Sequence, residues 1–387
     1  MAKTSLEKIR NFALIGHNDA GKTAFAEDLL FRVGALSRRG RVEDGNTACD
    51  FDEEEIRRGF SVNAALVAAD YQGYHLNILD VPGSADFIAD LITGMRVVDF
   101  AVVVVNGVSG VEVGTERAWR EAHANGVPLA VVINKLDRER SDFDTAYKQL
   151  QDAFPGVNFV VMTYPVGSEA SFKGYVDINR GVATIWTGGF DNDPVEAEVP
   201  AELRDKVQEL GGKLVDAAAE QDDALMEKYF EAGTLSPEEV ASALTSGIIS
   251  GKIVPVFCAA GYHGVGSGAL LDAVVKYFPS PAAFPPRRGV TPDGNEEERP
   301  ADPAAPLSAF VFKTVNDPFA GKLSYVRVFS GKLTTEDALF DATADAKFKC
   351  STLLAINGKK QAPVAELGPG EFGALAKVDV LPVSYTH

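Results

Sequence analysis

The strongest chemical signal in the sequence is a glycine-rich run near its beginning. The pattern G-x-x-x-x-G-K-[ST] fits Gly16-His17-Asn18-Asp19-Ala20-Gly21-Lys22-Thr23, between a strand-like run and a helical pattern. Its glycines let backbone amides turn toward a polyphosphate, and a helix N-terminus adds the positive end of its dipole. Lys22 is expected to reach the β- and γ-phosphates, and the Thr23 hydroxyl to ligate Mg²⁺. The run predicts a nucleotide-phosphate site, which we extend to Ala24.

A second run could hold the metal and the terminal phosphate. Asp80-Val81-Pro82-Gly83 ends a strand-like segment. An acid there can hold magnesium through water, and a glycine leaves room for its amide to approach the γ-phosphate. The pattern D-x-x-G is common by chance, so its weight comes from its place after the phosphate run. We therefore expect Asp80 at the metal and Gly83 at the nucleotide.

A third run indicates which base is bound. Asn134-Lys135-Leu136-Asp137 follows the apolar residues 129–133. The Asp137 carboxylate can accept hydrogen bonds from the N1–H and the exocyclic amine of guanine, a donor pair that adenine lacks. Asn134 is expected to tie this loop to the phosphate loop, and the Lys135 stem to pack over the base. Coming after the other two runs, this motif favours a GTPase over an ATPase or a kinase.

The purine site should close on a loop of small residues late in the chain. Cys258-Ala259-Ala260-Gly261 follows the strand-like residues 253–257. Small side chains there let backbone N–H groups reach the guanine O6. Small residues after a buried strand are also common, and that purely structural alternative stays open.

These runs need a scaffold that brings them together. Residues 11–16, 100–105, 129–133 and 253–257 are apolar runs separated by helical patterns. Strands apolar on both faces are typical of a mostly parallel sheet with helices on both faces. Residues 61–70 and 74–80, joined by a Gln-Gly turn, predict a hairpin. The predicted fold class is therefore α/β, a P-loop GTPase domain.

Composition along the chain predicts the domain organisation. Residues 1–159 and 251–281 should form the GTP-binding domain, with 160–250 as an inserted subdomain. Residues 282–305 are rich in proline, glycine and acids and predict a linker. The short strands and glycine turns of 306–387 predict a β-barrel, which we expect to be incomplete at its end.

Net charge, hydropathy and the cysteines indicate which partners and which cellular location to expect. The 387 residues carry a formal charge of −18, which argues against a DNA-coating protein but leaves RNA open. No apolar run reaches the roughly 18 residues of a membrane span. Three scattered cysteines suit a reducing cytoplasm. We expect a cytoplasmic monomer without a membrane partner.

With these runs in place, the chain resembles the bacterial elongation factor G family. The resemblance rests on the order of the three nucleotide runs, the late insertion, Leu271-Asp272-Ala273-Val274-Val275 and Phe278-Pro279-Ser280-Pro281. It continues through 306–313 and 323–331, which look like the start of that family's second domain, a β-barrel. The resemblance implies GTP or GDP with Mg²⁺, hydrolysis stimulated by the ribosome, and docking near the large-subunit factor-binding site.

The chain departs from that family at three positions. Ser61 stands where the family has a threonine, and its hydroxyl could still ligate magnesium. Ser84 replaces the histidine that the family uses to position the attacking water. Asn18 replaces an apolar residue before Asp19, which family members use to organise a cation and water near the phosphates. The catalytic candidates are therefore Asp19, Lys22 and Ser84, and we expect a divergent paralogue that hydrolyses GTP slowly without the ribosome.

Three activities stay open from the sequence. The first is a ribosome-stimulated GTPase, and the second is a GTP-dependent ribosome-binding switch with weak or no hydrolysis. The third is a ribosomal GTPase of the tetracycline-resistance or release-factor type, which shares these front domains. We also expect the acidic run 50–55 to be a solvated loop.

Overall fold

The first part of the chain builds a large sheet. The computed structural model describes residues 4–291, 294–317, 320–336, 338–378 and 381. Six strands precede the insertion: β1 (Ile9–Ile15), β2 (Ala65–Tyr71), β3 (Tyr74–Asp80), β4 (Phe100–Asn106), β5 (Leu129–Asn134) and β6 (Asn158–Val161). Every residue of β1 and β5 is buried, as expected for strands covered on both faces.

Helices between these strands cover the sheet. They are α1 (Lys22–Arg32), α2 (Glu53–Arg58), α3 (Ile88–Met95), α4 (Val113–Ala124) and α5 (Phe143–Ala153). Helix α1 begins after Gly21, whose φ of 89° favours glycine, and it buries Phe25 and Leu29 against the sheet. Helix α2 begins with a capping box between Asp52 and Glu55.

The next segment forms a separate layer. Four antiparallel strands make a small sheet: β7 (Thr163–Val166), β8 (Gly174–Asp177), β9 (Val182–Ile185) and β10 (Val195–Ala197). Three helices follow: α6 (Arg204–Ala219), α7 (Asp223–Ala232) and α8 (Pro237–Ile249). These elements lie within residues 160–250, whose assignment as an inserted subdomain stays a prediction.

The chain then returns to complete the main sheet. Strand β11 (Ile253–Cys258) lies between β5 and β6, which gives the order β2-β3-β1-β4-β5-β11-β6. All neighbours are parallel except β2, which pairs antiparallel with β3. Helix α9 (Ser267–Tyr277) follows. The parallel arrangement brings the loops after β1, β3, β5 and β11 to one edge of the sheet, where ligands bind in open α/β folds.

The expected linker contains a hairpin. Strands β12 (Arg287–Val290) and β13 (Glu296–Arg299) pair antiparallel within residues 282–305. The division of the chain into domains stays a prediction.

The remaining strands are antiparallel. They are β14 (Ser308–Asp317), β15 (Gly321–Ser330), β16 (Leu333–Thr334), β17 (Ala338–Asp341), β18 (Ala346–Lys349), β19 (Leu353–Asn357), β20 (Lys360–Pro363), β21 (Glu366–Leu367) and β22 (Phe372–Ala376). Five of them form a sheet of order β14-β15-β22-β19-β20, and two pairs form small ribbons. Residues 382–387, on which the expectation of an unfinished barrel rests, lie outside the described residues.

The antiparallel part packs directly on the part of the chain that holds the parallel sheet. Arg327, 1% exposed, donates to the Val97 carbonyl at 2.7 Å and pairs with Asp99 at 2.6 Å. Asn357 exchanges two hydrogen bonds with the backbone of Ala68. These polar contacts orient the two parts, and the buried Arg327–Asp99 pair is costly to break because it would leave an uncompensated charge.

The predicted fold class is confirmed. A mostly parallel sheet with helices is followed by antiparallel sheets. The hairpin strand expected over 61–70 begins only at Ala65, so Ser61 lies in the preceding loop. No helix in the described part of the chain is long and apolar enough to cross a membrane.

Candidate nucleotide-binding site

The loop after β1 encloses the Lys22 ammonium group. Gly16, Asp19 and Gly21 have φ values of 135°, 61° and 89°, so the loop turns tightly above the start of α1. The Lys22 Nζ donates to the carbonyls of His17 at 2.9 Å and Gly16 at 3.4 Å. Lys22 is 6% exposed, and burial lowers its pKa. The cation thus lies beneath the loop, with backbone oxygens as its hydrogen-bond acceptors.

The three expected metal residues lie together. The Thr23 Oγ1 donates to Asp80 Oδ2 at 2.7 Å and lies 3.1 Å from the Ser61 Oγ. Helix α1, the loop before β2 and the end of β3 each supply one of them. Burial, together with the neighbouring Asp50 charge, raises the pKa of Asp80 to about 7.

Asp50 is the site residue that sequence reasoning missed. It is 4% exposed, and the expectation of a solvated acidic loop is wrong for it and for Glu55, which is 2% exposed. The Ser61 hydroxyl lies beside the Asp50 carboxylate, yet among the described residues no donor reaches hydrogen-bonding geometry with either Asp50 oxygen. Burial raises the pKa of Asp50. The sequence offers only one signal, the residue Cys49 directly before the run, a type that is often buried.

These groups fit magnesium. Mg²⁺ prefers hard oxygen ligands and is held in proteins by one or two carboxylates. Thr23 and Ser61 offer hydroxyls, and Asp80 offers a buried Oδ1 for which the described residues supply no donor, beside the two such oxygens of Asp50. A divalent cation would offset two carboxylates that are otherwise buried at a cost.

The loop after β3 packs on the phosphate loop. A Cβ added to Gly83 would lie 2.5 Å from the backbone nitrogen of Asn18 and 2.5 Å from the Lys22 Nζ. Only glycine fits this approach without displacing one of the two loops. The expected nucleotide residue Gly83 is therefore in place beside Lys22.

The two remaining catalytic candidates hydrogen-bond to groups other than Lys22. The Ser84 Oγ accepts from the Asp86 amide at 3.4 Å and caps the short helical turn Ala85–Phe87. The side chain of Asp19 is 83% exposed, and its carboxylate pairs with Lys135 Nζ at 2.9 Å. The structure thus places Asp19 beside the base-side lysine, not against the Thr23–Asp80 pair.

Asn134 joins three loops of the site. Its Nδ2 donates to the Ala20 carbonyl at 3.0 Å, and its Oδ1 accepts from the Gly261 amide at 2.9 Å. Asn134 is 2% exposed, so both bonds are shielded from water. The side chain holds the phosphate loop, the loop after β5 and the loop after β11 in one arrangement.

Asp137 lies at the other end of the same loop. Its Oδ2 is 3.4 Å from His263 Nε2 and 3.4 Å from Arg138 Nε. Burial acts to raise the pKa of Asp137, but the contacts with His263, a backbone amide and Arg138 outweigh it and lower that pKa. The carboxylate is therefore held ionised, as an acceptor of two guanine donors must be.

The backbone amides of the loop 258–261 already donate hydrogen bonds within the protein. Cys258 donates to the Thr163 hydroxyl, Ala259 to the Ile133 carbonyl, Ala260 to the Val265 carbonyl and Gly261 to Asn134. The expected contact from this loop to guanine O6 would need one of these amides to be shared or released. Its small side chains are explained here by close packing, since all four residues are buried.

The other phosphate-loop residues have identifiable neighbours. The His17 Nδ1 accepts from the Gly114 amide at 3.2 Å, and its Nε2 lies 3.4 Å from Glu112. His17 therefore connects the phosphate loop to the start of α4. Asn18 and Ala24 line the groove between the phosphate and base loops.

One groove runs past residues of all these loops. A cavity of about 180 Å³ is lined by Lys22, Thr23, Asp50, Asn134 and Asp137, among others. A larger cavity of about 660 Å³ adjoins it at the base end and shares Asp137 as a lining residue. Most of the expected phosphate-loop and base-loop residues thus line a continuous concave surface of the kind that binds ligands.

Comparison with known proteins gives two family matches and a similar structure. Residues 7–280 match the elongation factor Tu GTP binding domain, and residues 306–385 match elongation factor G domain 2. A crystal structure of a protein from Thermus thermophilus is similar at a TM-score of 0.84 and 31% sequence identity. The alignment covers 97% of this chain and 53% of that chain, so this chain spans about half the length of that protein.

These matches agree with the predicted resemblance and confirm it. The first match alone covers well over half of the chain, and the second follows it in the order found in elongation factor G. The chain belongs to the elongation factor G family of translational GTPases, with an elongation factor Tu-type GTP-binding domain.

Proposed function

We propose that this chain binds GTP and GDP with Mg²⁺ and that it hydrolyses GTP on the ribosome. The observation that carries the proposal is the Asn134 bridge, which brings the phosphate loop and the two base loops around one groove. The ribosomal partner, with docking near the large-subunit factor-binding site, rests on membership of the family. The described cysteines are free thiols, in accord with a cytoplasmic setting.

Different residues would bind the phosphates, the magnesium ion and the guanine base. Lys22 would exchange its two carbonyl acceptors for the β- and γ-phosphates, a stronger charge-assisted pairing. Thr23, Ser61, Asp80 and Asp50 would hold Mg²⁺. Bound magnesium would supply positive charge against the charge that develops on the phosphate oxygens. Asp137 would read the guanine edge.

We further propose that hydrolysis is slow without the ribosome. Phosphoryl transfer gains most of its rate from positioning and electrostatics, so the attacking water needs an orienting side chain. Ser84 is short, and its hydroxyl already accepts from the Asp86 amide. This capping contact favours a second candidate function, a GTP-dependent ribosome-binding switch with weak hydrolysis. No feature of the described residues favours the tetracycline-resistance or release-factor type.

Calorimetry with paired nucleotides tests the proposal. GDP and GTP should bind in the presence of Mg²⁺, and ADP should not bind measurably. Chelation of Mg²⁺ should lower the affinity for GTP more than the affinity for GDP. Equal affinity for ADP and GDP would refute the assigned base site. GTP turnover with and without ribosomes then separates the two candidates, because a switch stays slow when ribosomes are added.

A further inference from the structure

A segment before α2 lies across the nucleotide groove and is anchored on α1. We call residues 39–48 the strap. At one end Arg39 Nη2 pairs with Asp28 Oδ1 at 2.9 Å, and at the other end the Ala48 amide donates to Glu27. Glu27 and Asp28 are each 1% exposed. Because breaking either contact would deprive a buried carboxylate of a partner, both ends of the strap are firmly held.

The loop after β11 packs against the Arg39 end of the strap. The Arg39 Nη1 donates to the Tyr262 carbonyl at 3.2 Å. Gly264 has a φ of 80°, and a side chain there would collide with the Arg39 guanidinium. The strap and the Tyr262 loop therefore form one fitted contact.

Between its anchors the strap meets the base loops through weaker contacts. The Arg41 guanidinium lies 5.0 Å from the centre of the Tyr262 ring, and that of Arg138 lies 5.5 Å from it. Arg138 also contacts Asp137, the expected base reader. We call Arg41, Tyr262 and Arg138 the clasp. Exposed cation–π contacts are individually weak, so the clasp can open while the anchors hold.

The clasp stands where a bound nucleotide would enter and leave. Val42 and Glu43 of the strap line the same groove as Lys22 and Asn134. Tyr262 lines this groove, the larger cavity at its base end, and a third cavity of about 310 Å³ that is also lined by strap residues 39–43. The strap thus forms a wall of the groove, and Tyr262 is the point at which that wall joins the base loops.

We propose that the clasp retains bound guanine nucleotide, so that separation of Arg41 from Tyr262 controls the rate of nucleotide release. This inference rests on the proposed function, since it assumes a guanine nucleotide in the groove. It assigns Arg41 and Tyr262 a role in nucleotide retention, beyond the motif residues that contact phosphates and base. The physical basis of this proposal is that the ends of the strap bond to buried carboxylates, whereas its centre is held to the base loops by an exposed cation–π contact.

Dissociation of a fluorescent GDP analogue tests the clasp. Release would be followed by stopped-flow displacement with excess GDP, in wild type and in Arg41→Ala, Tyr262→Ala and Tyr262→Phe. Loss of one exposed cation–π contact should speed release about two- to fivefold in Arg41→Ala. Tyr262→Ala loses two such contacts and should release about five- to twentyfold faster. Tyr262→Phe keeps the ring and should restore slow release.

A matched control and a double variant sharpen the result. Arg38→Ala removes the same charge from an exposed neighbouring residue for which no contact with Tyr262 is seen in the described chain, and should leave release unchanged. In the Tyr262→Ala background, Arg41→Ala should add little, because the partner ring is already gone. Fully additive effects, or wild-type release in both single variants, would overturn the clasp. Failure of the wild-type protein to bind the analogue would instead overturn the proposed function.

Discussion

The two ends of the nucleotide groove differ in how far their polar groups are paired within the protein. At the base end, both polar atoms of the Asn134 side chain are bonded, and Asp137 contacts His263 and Arg138. At the phosphate end, Asp50 and Asp80 keep buried oxygens for which the described residues supply no donor. The polar groups of the base end are thus paired within the protein, whereas the phosphate end keeps carboxylate oxygens that meet no donor in the described chain.

This difference indicates which contacts supply affinity and which supply selectivity. A base site whose loops are held in place by Asn134 rejects the wrong base by leaving buried polar groups unpaired. The phosphate end gains most from binding, because a cation and a polyphosphate satisfy Lys22, Asp50 and Asp80 together. We therefore expect the largest losses of affinity from changes at the phosphate end.

Removal of Lys22, the lysine proposed to bind the phosphates, should have the largest effect. Lys22→Ala should weaken GTP by more than about a hundredfold, because a buried ammonium no longer meets the phosphates. Calorimetry with Mg²⁺ measures the loss, and Lys148→Ala, a lysine on α5 away from the groove, is the control. Since Lys22 is buried, thermal unfolding must show that the variant is folded. Normal GTP affinity in a folded variant would remove the phosphate loop from the proposed site.

A change of Asp137, the residue proposed to recognise guanine, should lower GTP affinity less than Lys22→Ala and should change the choice of base. Asp137→Asn should weaken GTP by on the order of 1–3 kcal/mol, because an amide cannot accept from both guanine donors. The affinity of the variant for a xanthine nucleotide should rise relative to its affinity for GTP. Titration of both nucleotides against the variant measures the switch, with Asp152→Asn, an exposed acid on α5, as control. Unchanged GTP affinity would mean that the base pocket is wrongly assigned.

The buried acid Asp50 should show opposite effects on stability and binding. Asp50→Asn removes a buried charge for which the described residues supply no donor, so the nucleotide-free protein should melt roughly 2 °C higher. The same change should weaken magnesium-dependent GTP binding about tenfold, because a cation loses a carboxylate. Calorimetry and thermal melts, with exposed Glu53→Gln as control, separate the two effects. A variant that binds GTP as tightly as wild type would place Asp50 outside the cation site.

The smallest effect on binding is expected at Ser84. Ser84→His should change GTP affinity by less than about twofold, since the Ser84 hydroxyl caps a local turn. Turnover on ribosomes should rise severalfold, up to about tenfold, if a longer side chain orients the water. Single-turnover hydrolysis measures this. A fast wild-type rate, unaffected by the substitution, would mean that another residue positions the water, and Asp19 is then the first to test.

Much of the fold and of the groove could be predicted from short-range pattern. The apolar runs of β1, β4, β5 and β11 predicted a parallel sheet, and the motif order predicted the family. Strand β2 was placed four residues early, because the polar residues before Ala65 alternate much as a strand does. The hairpin within 282–305 was missed, since its strands are largely exposed and rich in charge.

By itself the sequence determined which groups can do chemistry, because motif spacing and apolar periodicity are local properties of a chain. It could not decide the environment of an acid or an aromatic ring, which depends on residues far apart in the chain. Asp50 becomes a candidate metal residue only because α1, Ser61 and Asp80 close around it. Arg41 meets Tyr262 only because Glu27 and Asp28 hold the strap across the groove. Only the tertiary structure determines burial and long-range contacts. It is these that place Asp50, Arg41 and Tyr262 at the candidate site.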